Sequence, residues 1–176
     1  QVNLIKALQP EAKTIGVLYT SSEANSITQL ENLRKAASAK GLTVEASAVQ
    51  NASDIPTAAA ALVSKVDCLN NFTDNNVVNN LSVVLDAANA AGIPVYGSEI
   101  EQVKKGCLAS MSIDYVALGK ITGEMAAEVL EGASASSMAV KTTSEATPVI
   151  NSEVLGALHL ELPEEFASAE IVTSAE

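Results

Sequence analysis

Thr20, Ser21, Ser22, Glu23, Asn25 and Ser26 crowd the junction where the apolar run KTIGVLY at 13–19 meets a helical pattern. A helix N-terminus needs a single capping side chain. The surplus here offers hydroxyl, amide and main-chain donors that suit an anion such as a carboxylate. A second polar turn, Thr73, Asp74, Asn75 and Asn76, follows the run VDCLNNF at 66–72. Asp74 suits a cation such as an ammonium, so the two turns together describe a site for a zwitterion. GSE at 97–99 and SIDY at 112–115 are further polar turns, each after an apolar run. Taken singly, any of these turns has a simpler explanation, a Ser, Asp or Asn capping the helix that follows. Their recurrence in equivalent positions carries more weight than any one of them.

Enzymatic chemistry finds little support. His159 is the one histidine and falls in the C-terminal tail, which leaves no Ser–His or Cys–His pair among these turns. Cys68 and Cys107 lack CxxC spacing and sit in strand-like apolar segments. That predicts buried thiols and gives neither a zinc site nor a disulfide framework, with a disulfide between the two left open. There is no GxGxxG, no P-loop and no His/Cys/carboxylate cluster. TSSEANS distantly resembles a flavodoxin phosphate loop, but a chain that is 3% aromatic has few rings to stack a flavin. A receiver domain would need an acidic pair after the first strand and a Lys after the fifth, where this chain has YTSSE and SIDY. The expectation is a protein that is not an enzyme, with no catalytic residue, cofactor or metal.

An alternating pattern of elements must position the turns. A short helix, Val2 to Leu8, stops before Pro10. KTIGVLY has the unbroken apolar character of a strand buried on both faces. Ile27, Leu30, Leu33 and Ala37 then recur at helical spacing up to Gly41. LTVEASAV at 42–49 is a second strand. Ser53 or Asp54 can cap a helix striped by Ile55, Ala58, Ala59, Leu62 and Val63, with Pro56 in its first turn. VDCLNNF is a third strand, and Val77, Val78, Leu81, Val84, Leu85 and Ala88 line one helix closed by Gly92. IPVYG at 93–97, a short helix from Glu101 to Lys105, and CLASMSI at 107–113 complete the series. Asp114 caps a long helix with Leu118, Ile121, Met125 and Val129 on one face. EGASASSMAV at 131–140 reads as an exposed linker, TPVI at 147–150 as a last strand, NSEVLGAL as a short helix and LPEEF as a capped turn. The closing ASAEIVTSAE shows no strong pattern.

Strict strand–helix alternation predicts an α/β fold, a doubly wound parallel sheet with strand order 2-1-3-4-5 and helices on both faces. Ligands of such sheets bind outside the carboxyl ends of the strands, where the polar turns fall. The 176 residues are 48% hydrophobic and carry a net charge of -11, which repels phosphate backbones and anionic membranes, so no nucleic-acid partner is expected. No apolar run reaches the roughly 18 residues that a membrane-spanning helix requires. The opening QVNLIKALQP lacks an initiator Met and reads as a helix cut into midway, as in a processed or truncated piece.

The stretches AKTIGVLYTSSEANSITQLENLRKAASAKGLTVE, VSKVD followed by TDNNVV, ANAAGIPVYGSE, VKKGCLASMSIDYVALGKITGEMAAEVLEG and ELPEEF carry a family likeness from Leu4 to about Phe166. The chain resembles the substrate-binding proteins of ABC transporters, in the family that includes tryptophan- and tyrosine-binding members. The resemblance implies the type I periplasmic-binding fold, two lobes joined by hinge strands that close on a ligand in the cleft. It implies that residues 1–113 form the second ligand-binding lobe. Residues 114–146 would be a helix and linker returning to a first lobe absent from this chain, and 147–176 the hinge crossing and C-terminal tail. It further implies the extracytoplasmic solute-binding component of an ABC importer, periplasmic or lipid-anchored at the cell surface, working with a permease on a small amino-acid-like ligand. The residues themselves show no signal-peptide pattern.

By this resemblance Ser21, Ser22, Glu23, Asn25, Ser26, Thr73, Asp74 and Asn75 face the cleft, with Glu99 at its wall and Asp114 near the hinge. Tyr19 and Phe72 end the strands that feed these turns, and each either packs on an aromatic ligand or sits in the core. Asp74, placed at a turn outside the core, is expected to matter for binding and little for stability. NNF at 70–72 is more polar than the apolar strand end usual in the family. The competing reading is a stand-alone lobe that binds no solute and acts as an interaction domain. In either case the apolar stripe of helix 114–132 needs a partner, the first lobe or a second copy of the chain.

Overall fold

The computed structural model describes residues 1–143 and 146–175. Its helices are α1 (Val2–Leu8), α2 (Ala24–Ser38), α3 (Ile55–Val63), α4 (Asn75–Asn79), α5 (Leu81–Ala91), α6 (Ile100–Lys104), α7 (Tyr115–Leu130) and α8 (Ser152–Ala157). Its strands are β1 (Thr14–Thr20), β2 (Thr43–Val49), β3 (Cys68–Asn70), β4 (Val95–Tyr96), β5 (Ala109–Ser112), β6 (Thr147–Asn151) and β7 (Glu170–Val172). They form one sheet in the order β2-β1-β3-β4-β5-β6-β7. The expected parallel order 2-1-3-4-5 is the body of this sheet. β6 joins it antiparallel to β5, with Ala109 opposite Ile150, and β7 runs parallel to β6.

The sheet is covered on both faces. On one, Leu4, Ile5 and Leu8 of α1 and Leu30, Leu33 and Ala37 of α2 pack on Ile15 and Val17 of β1. On the other, Ile55, Ala59 and Leu62 of α3 and Leu81, Val84 and Leu85 of α5 pack on Leu18, Leu69 and Val95. Successive β1 side chains alternate between these two cores, so its run looks continuously apolar in sequence. Each such side chain, once fully buried, contributes about 1.5–3 kcal/mol. Gly16 faces α3, and an added Cβ would lie 2.6 Å from Leu69 Cδ2 of β3 and 3.1 Å from Leu62 Cγ of α3, so both would have to give way to any side chain there.

Several local expectations are corrected. Asn51, not Ser53 or Asp54, accepts the capping bond before α3, from Ser53 N, while Asp54 reaches back to Gln50 and Asn51 N. The expected single helix from Val77 to Ala88 is two, α4 and α5, broken at Asn80, whose φ of -117° is not helical. Gly92 closes α5 in the left-handed conformation, φ 68°. The tail ASAEIVTSAE, without pattern in the sequence, contains β7. As an edge strand whose Ile171 is 52% exposed, it has no alternation to betray it.

No residue of α7 is fully buried, though Leu118, Ile121 and Met125 are half-buried. Val129 is 41%, Tyr115 51%, Val116 70% and Leu130 89% exposed. The segment 131–140 is exposed apart from half-buried Met138, as expected for a linker. Residues 144–145 of the expected returning segment, and Glu176 of the expected tail, lie outside the described residues.

Candidate ligand-binding groove

The turns after β1 and β3 meet at the carboxyl edge of the sheet, and Asp74 joins them. It accepts from Thr20 N at 2.6 Å and Ser26 Oγ at 2.7 Å on Oδ2, and from Thr20 Oγ1 at 2.7 Å and Val77 N at 3.2 Å on Oδ1. Two bonds on each oxygen exhaust a carboxylate's lone pairs. Burial opposes the charge, but donation from Thr20, Ser26 and Val77 outweighs it and holds the pKa below the ordinary Asp value. Asp74 is fully buried. This corrects its expected place outside the core and leaves no oxygen open to an ammonium.

The two turns are stitched at other points too. Asn25 Nδ2 donates to Thr73 O at 3.3 Å, Gln29 Nε2 to Thr73 Oγ1 at 3.1 Å, and Asn75 N to Glu23 Oε2 at 3.4 Å. Much of the surplus capacity of TSSEANS thus goes into holding one loop beside another. Ser21, Ser22, Asn25, Thr73 and Asn75 remain exposed, and Glu23 half-exposed. Tyr19 is half-buried against the α1–α2 core. Glu99 caps α6 through Glu101 N and Gln102 N, and Asp114 caps α7 through Val116 N and Ala117 N. Glu99 and Asp114 also line a hollow of about 440 Å³ where β5 leaves the sheet and β6 returns.

A separate groove of about 300 Å³ opens beside the ends of β3, β4 and β5. Val2 of α1 and Gln29, Asn32, Leu33 and Ala36 of α2 form one wall; Asn70, Phe72, Ser98 and Met111 form the other, with Gln1 at the junction. None of these side chains is ionisable. Phe72 is the one sequence-predicted site residue on this wall, and it is also part of the α1–α2 core at 3% exposure. The sequence reading missed Gln1, Gln29, Asn32, Asn70, Ser98 and Met111. Asn70 had a signal, the unusual polarity of NNF, and Ser98 lay inside the polar turn GSE; Gln1 had none.

Buried amides brace the groove from below. Gln102 Oε1 accepts from Asn71 Nδ2 at 2.9 Å and from Ser98 N at 3.1 Å, while its Nε2 donates to Phe72 O at 3.3 Å. Ser98 Oγ donates to Asn71 O at 2.6 Å. The loops after β3 and β4 are thereby locked to α6. Cys68 and Cys107 are free and buried, and burial pushes the Cys68 thiol up to about 12. Among the described residues no group of His, Cys, Asp and Glu could hold a metal ion, and no helix is long and apolar enough to cross a membrane.

The family model for ABC transporter substrate binding proteins matches residues 1–172. The chain belongs to that family. A tyrosine-binding protein of Clostridioides difficile (strain R20291), a curated member, is 39% identical over 160 residues, 91% of this chain but 46% of its own length. A Streptococcus pneumonia ABC domain solved in complex with L-Trp superposes with TM-score 0.92 at 37% identity, covering 98% of this chain and 59% of that one. A ligand-free, open substrate binding protein with adhesive properties from Clostridium difficile gives TM-score 0.79 at 36% identity, with 99% and 59% covered. This family member therefore spans about half the length of the curated relative it matches.

Proposed function

We propose that the chain supplies the second lobe, residues 1–113, of an extracytoplasmic solute-binding protein serving an ABC importer. Residues 114–146 and 147–176 would then be its returning helix with linker and its hinge crossing with tail. The ligand is a small, amino-acid-like molecule with an aromatic side chain, held between this lobe and a first lobe and handed to a permease. The carrying observation is the groove at the carboxyl edge of β3–β5, lined by no ionisable side chain, edged with amides and walled by Phe72, Leu33 and Met111. Clefts of this kind, mostly apolar with a few placed polar groups, are the usual form of small-molecule sites. The ligands for which those relatives are named, tyrosine and L-Trp, support an aromatic amino acid. The exposed Ser21, Ser22, Asn25 and Asn75 stand ready for a lobe that closes over them, and such closure is a population shift driven by contacts to both walls.

Calorimetry on the full-length protein against aromatic and aliphatic amino acids tests this reading. Saturable binding with an aromatic preference is expected; absence of binding to every amino acid would overturn it. A second reading, a lobe that serves as an interaction domain without a solute, draws on the unpartnered α7. It predicts a protein partner and an empty titration.

A further inference from the structure

One amide in the groove has its orientation decided by the backbone. A glutamine side chain can be placed either way round unless its partners distinguish oxygen from nitrogen. For Gln1 they do. Met111 N–H donates to its Oε1 at 2.9 Å, and Gly97 C=O accepts from its Nε2 at 2.9 Å. Main-chain N–H only donates and C=O only accepts, so Gln1 has a single orientation. The same Nε2 donates to Asn70 Oδ1 at 3.0 Å. Asn70 must therefore turn its oxygen to Gln1 and its NH2 the other way. Asn70 is only 3% exposed, yet its Nδ2 meets no acceptor among the described residues. No fully enclosed side-chain nitrogen or oxygen among those residues lacks a partner, so this NH2 is reached from the groove that Asn70 lines.

We propose that Asn70 is a specificity-determining donor to the ligand's carboxylate, with Gln1 as the positioning residue that keeps its NH2 turned into the groove. The assignment rests on the solute-binding function proposed above. An NH2 group accepts nothing, so it pairs with a carboxylate and disfavours an ammonium. No ionisable side chain lines the groove to compete for the carboxylate. Phe72, Leu33 and Met111 lie alongside, so a ligand anchored at Asn70 lays its apolar side chain on them. The donors of the β1–α2 turn are less available, because Thr20 and Ser26 are committed to Asp74.

The test uses the full-length protein and two matched pairs of probes, L-tryptophan with tryptamine and L-tyrosine with tyramine, the amines lacking the carboxylate. Asn70→Asp keeps the shape and the bond from Gln1 but replaces a donor by an acceptor. It should weaken amino-acid binding roughly ten- to a hundred-fold, the worth of a hydrogen bond to a charged group. Amine binding should hold or tighten, so the preference for amino acid over amine falls about tenfold or more. Asn70→Ala should move the preference the same way. Gln1→Glu cannot donate to Asn70 Oδ1; it should flip the Asn70 amide and lower the preference as Asn70→Asp does, which a merely structural Gln1 would not do. Variants that melt like the wild type but keep the wild-type preference would overturn the assignment, and either Asn70 variant suffices if the other fails to fold. A wild-type protein that binds neither amino acid would overturn this assignment, and one that binds no amino acid at all would overturn the proposed function with it, so the two failures are told apart.

Discussion

Asp74 and Asn70 show how the same edge of a sheet assigns opposite work to two polar residues. Asp74 spends both oxygens on the protein, and its removal would strand Thr20 N–H, the Ser26 hydroxyl and Val77 N–H in the interior. Asp74→Ala should therefore destabilise the fold by about 2–4 kcal/mol, since orphaned buried donors cost about 1–3 kcal/mol each before relaxation. Denaturant titration checks it, and an unchanged midpoint would refute the role. The pH dependence follows from the lowered pKa. A carboxyl depressed in the folded state adds stability that is present above its unfolded value, about 3.9, and lost as pH falls through the folded value. The gap between wild type and Asp74→Asn should be full at pH 7 and shrink below about pH 4. Asp67 is also held low, by the N–H groups of Lys13 and Thr14, so the difference between the two proteins isolates Asp74 where either curve alone does not.

Among the elements, α7 is the one whose sequence and surroundings disagree. Its stripe of Leu118, Ile121, Met125 and Val129 is the kind that packs, yet none of the four is buried: the first three are half-exposed and Val129 is exposed. Burying side chains of that size gains about 1.5–3 kcal/mol each, so the helix favours association wherever a matching surface exists. The 176-residue chain alone should form dimers or larger species in light scattering at high concentration. Met125→Glu together with Val129→Glu, both within that stripe and neither buried, should shift it toward monomer. A compact monomer that binds no hydrophobic dye would count against this account. β7 presents the converse case, a strand without pattern that forms because β6 offers it an edge.

For the whole molecule, the relevant fact is that the groove is open on one side. The isolated chain presents two facing walls of amides and apolar side chains, and the proposed function places the remaining contacts on another lobe. Full-length protein should therefore bind L-tryptophan or L-tyrosine at least about tenfold more tightly than the 176-residue chain, each tenfold corresponding to about 1.4 kcal/mol. Equal affinity, measured by calorimetry in the same buffer, would show that this lobe holds the entire site. The net charge of -11 bears on solubility and on avoidance of phosphate surfaces, and leaves the groove itself untouched.

The alternation of strand and helix, the two-faced sheet and its parallel order were legible in the sequence because apolar periodicity is a local signal, repeated along every element. So was the cap at Asp114, since capping joins residues a few positions apart. The use of each polar residue was not legible. TSSEANS and TDNN were visible as hydrogen-bonding capacity, but whether that capacity faces a ligand or the neighbouring loop depends on partners 48 to 54 positions away. The orientation of Asn70 depends on Gln1, and that of Gln1 on Gly97 and Met111. A hydrogen bond has a direction only once both partners are in place, so tertiary structure alone could decide which donors were spent and which were left over.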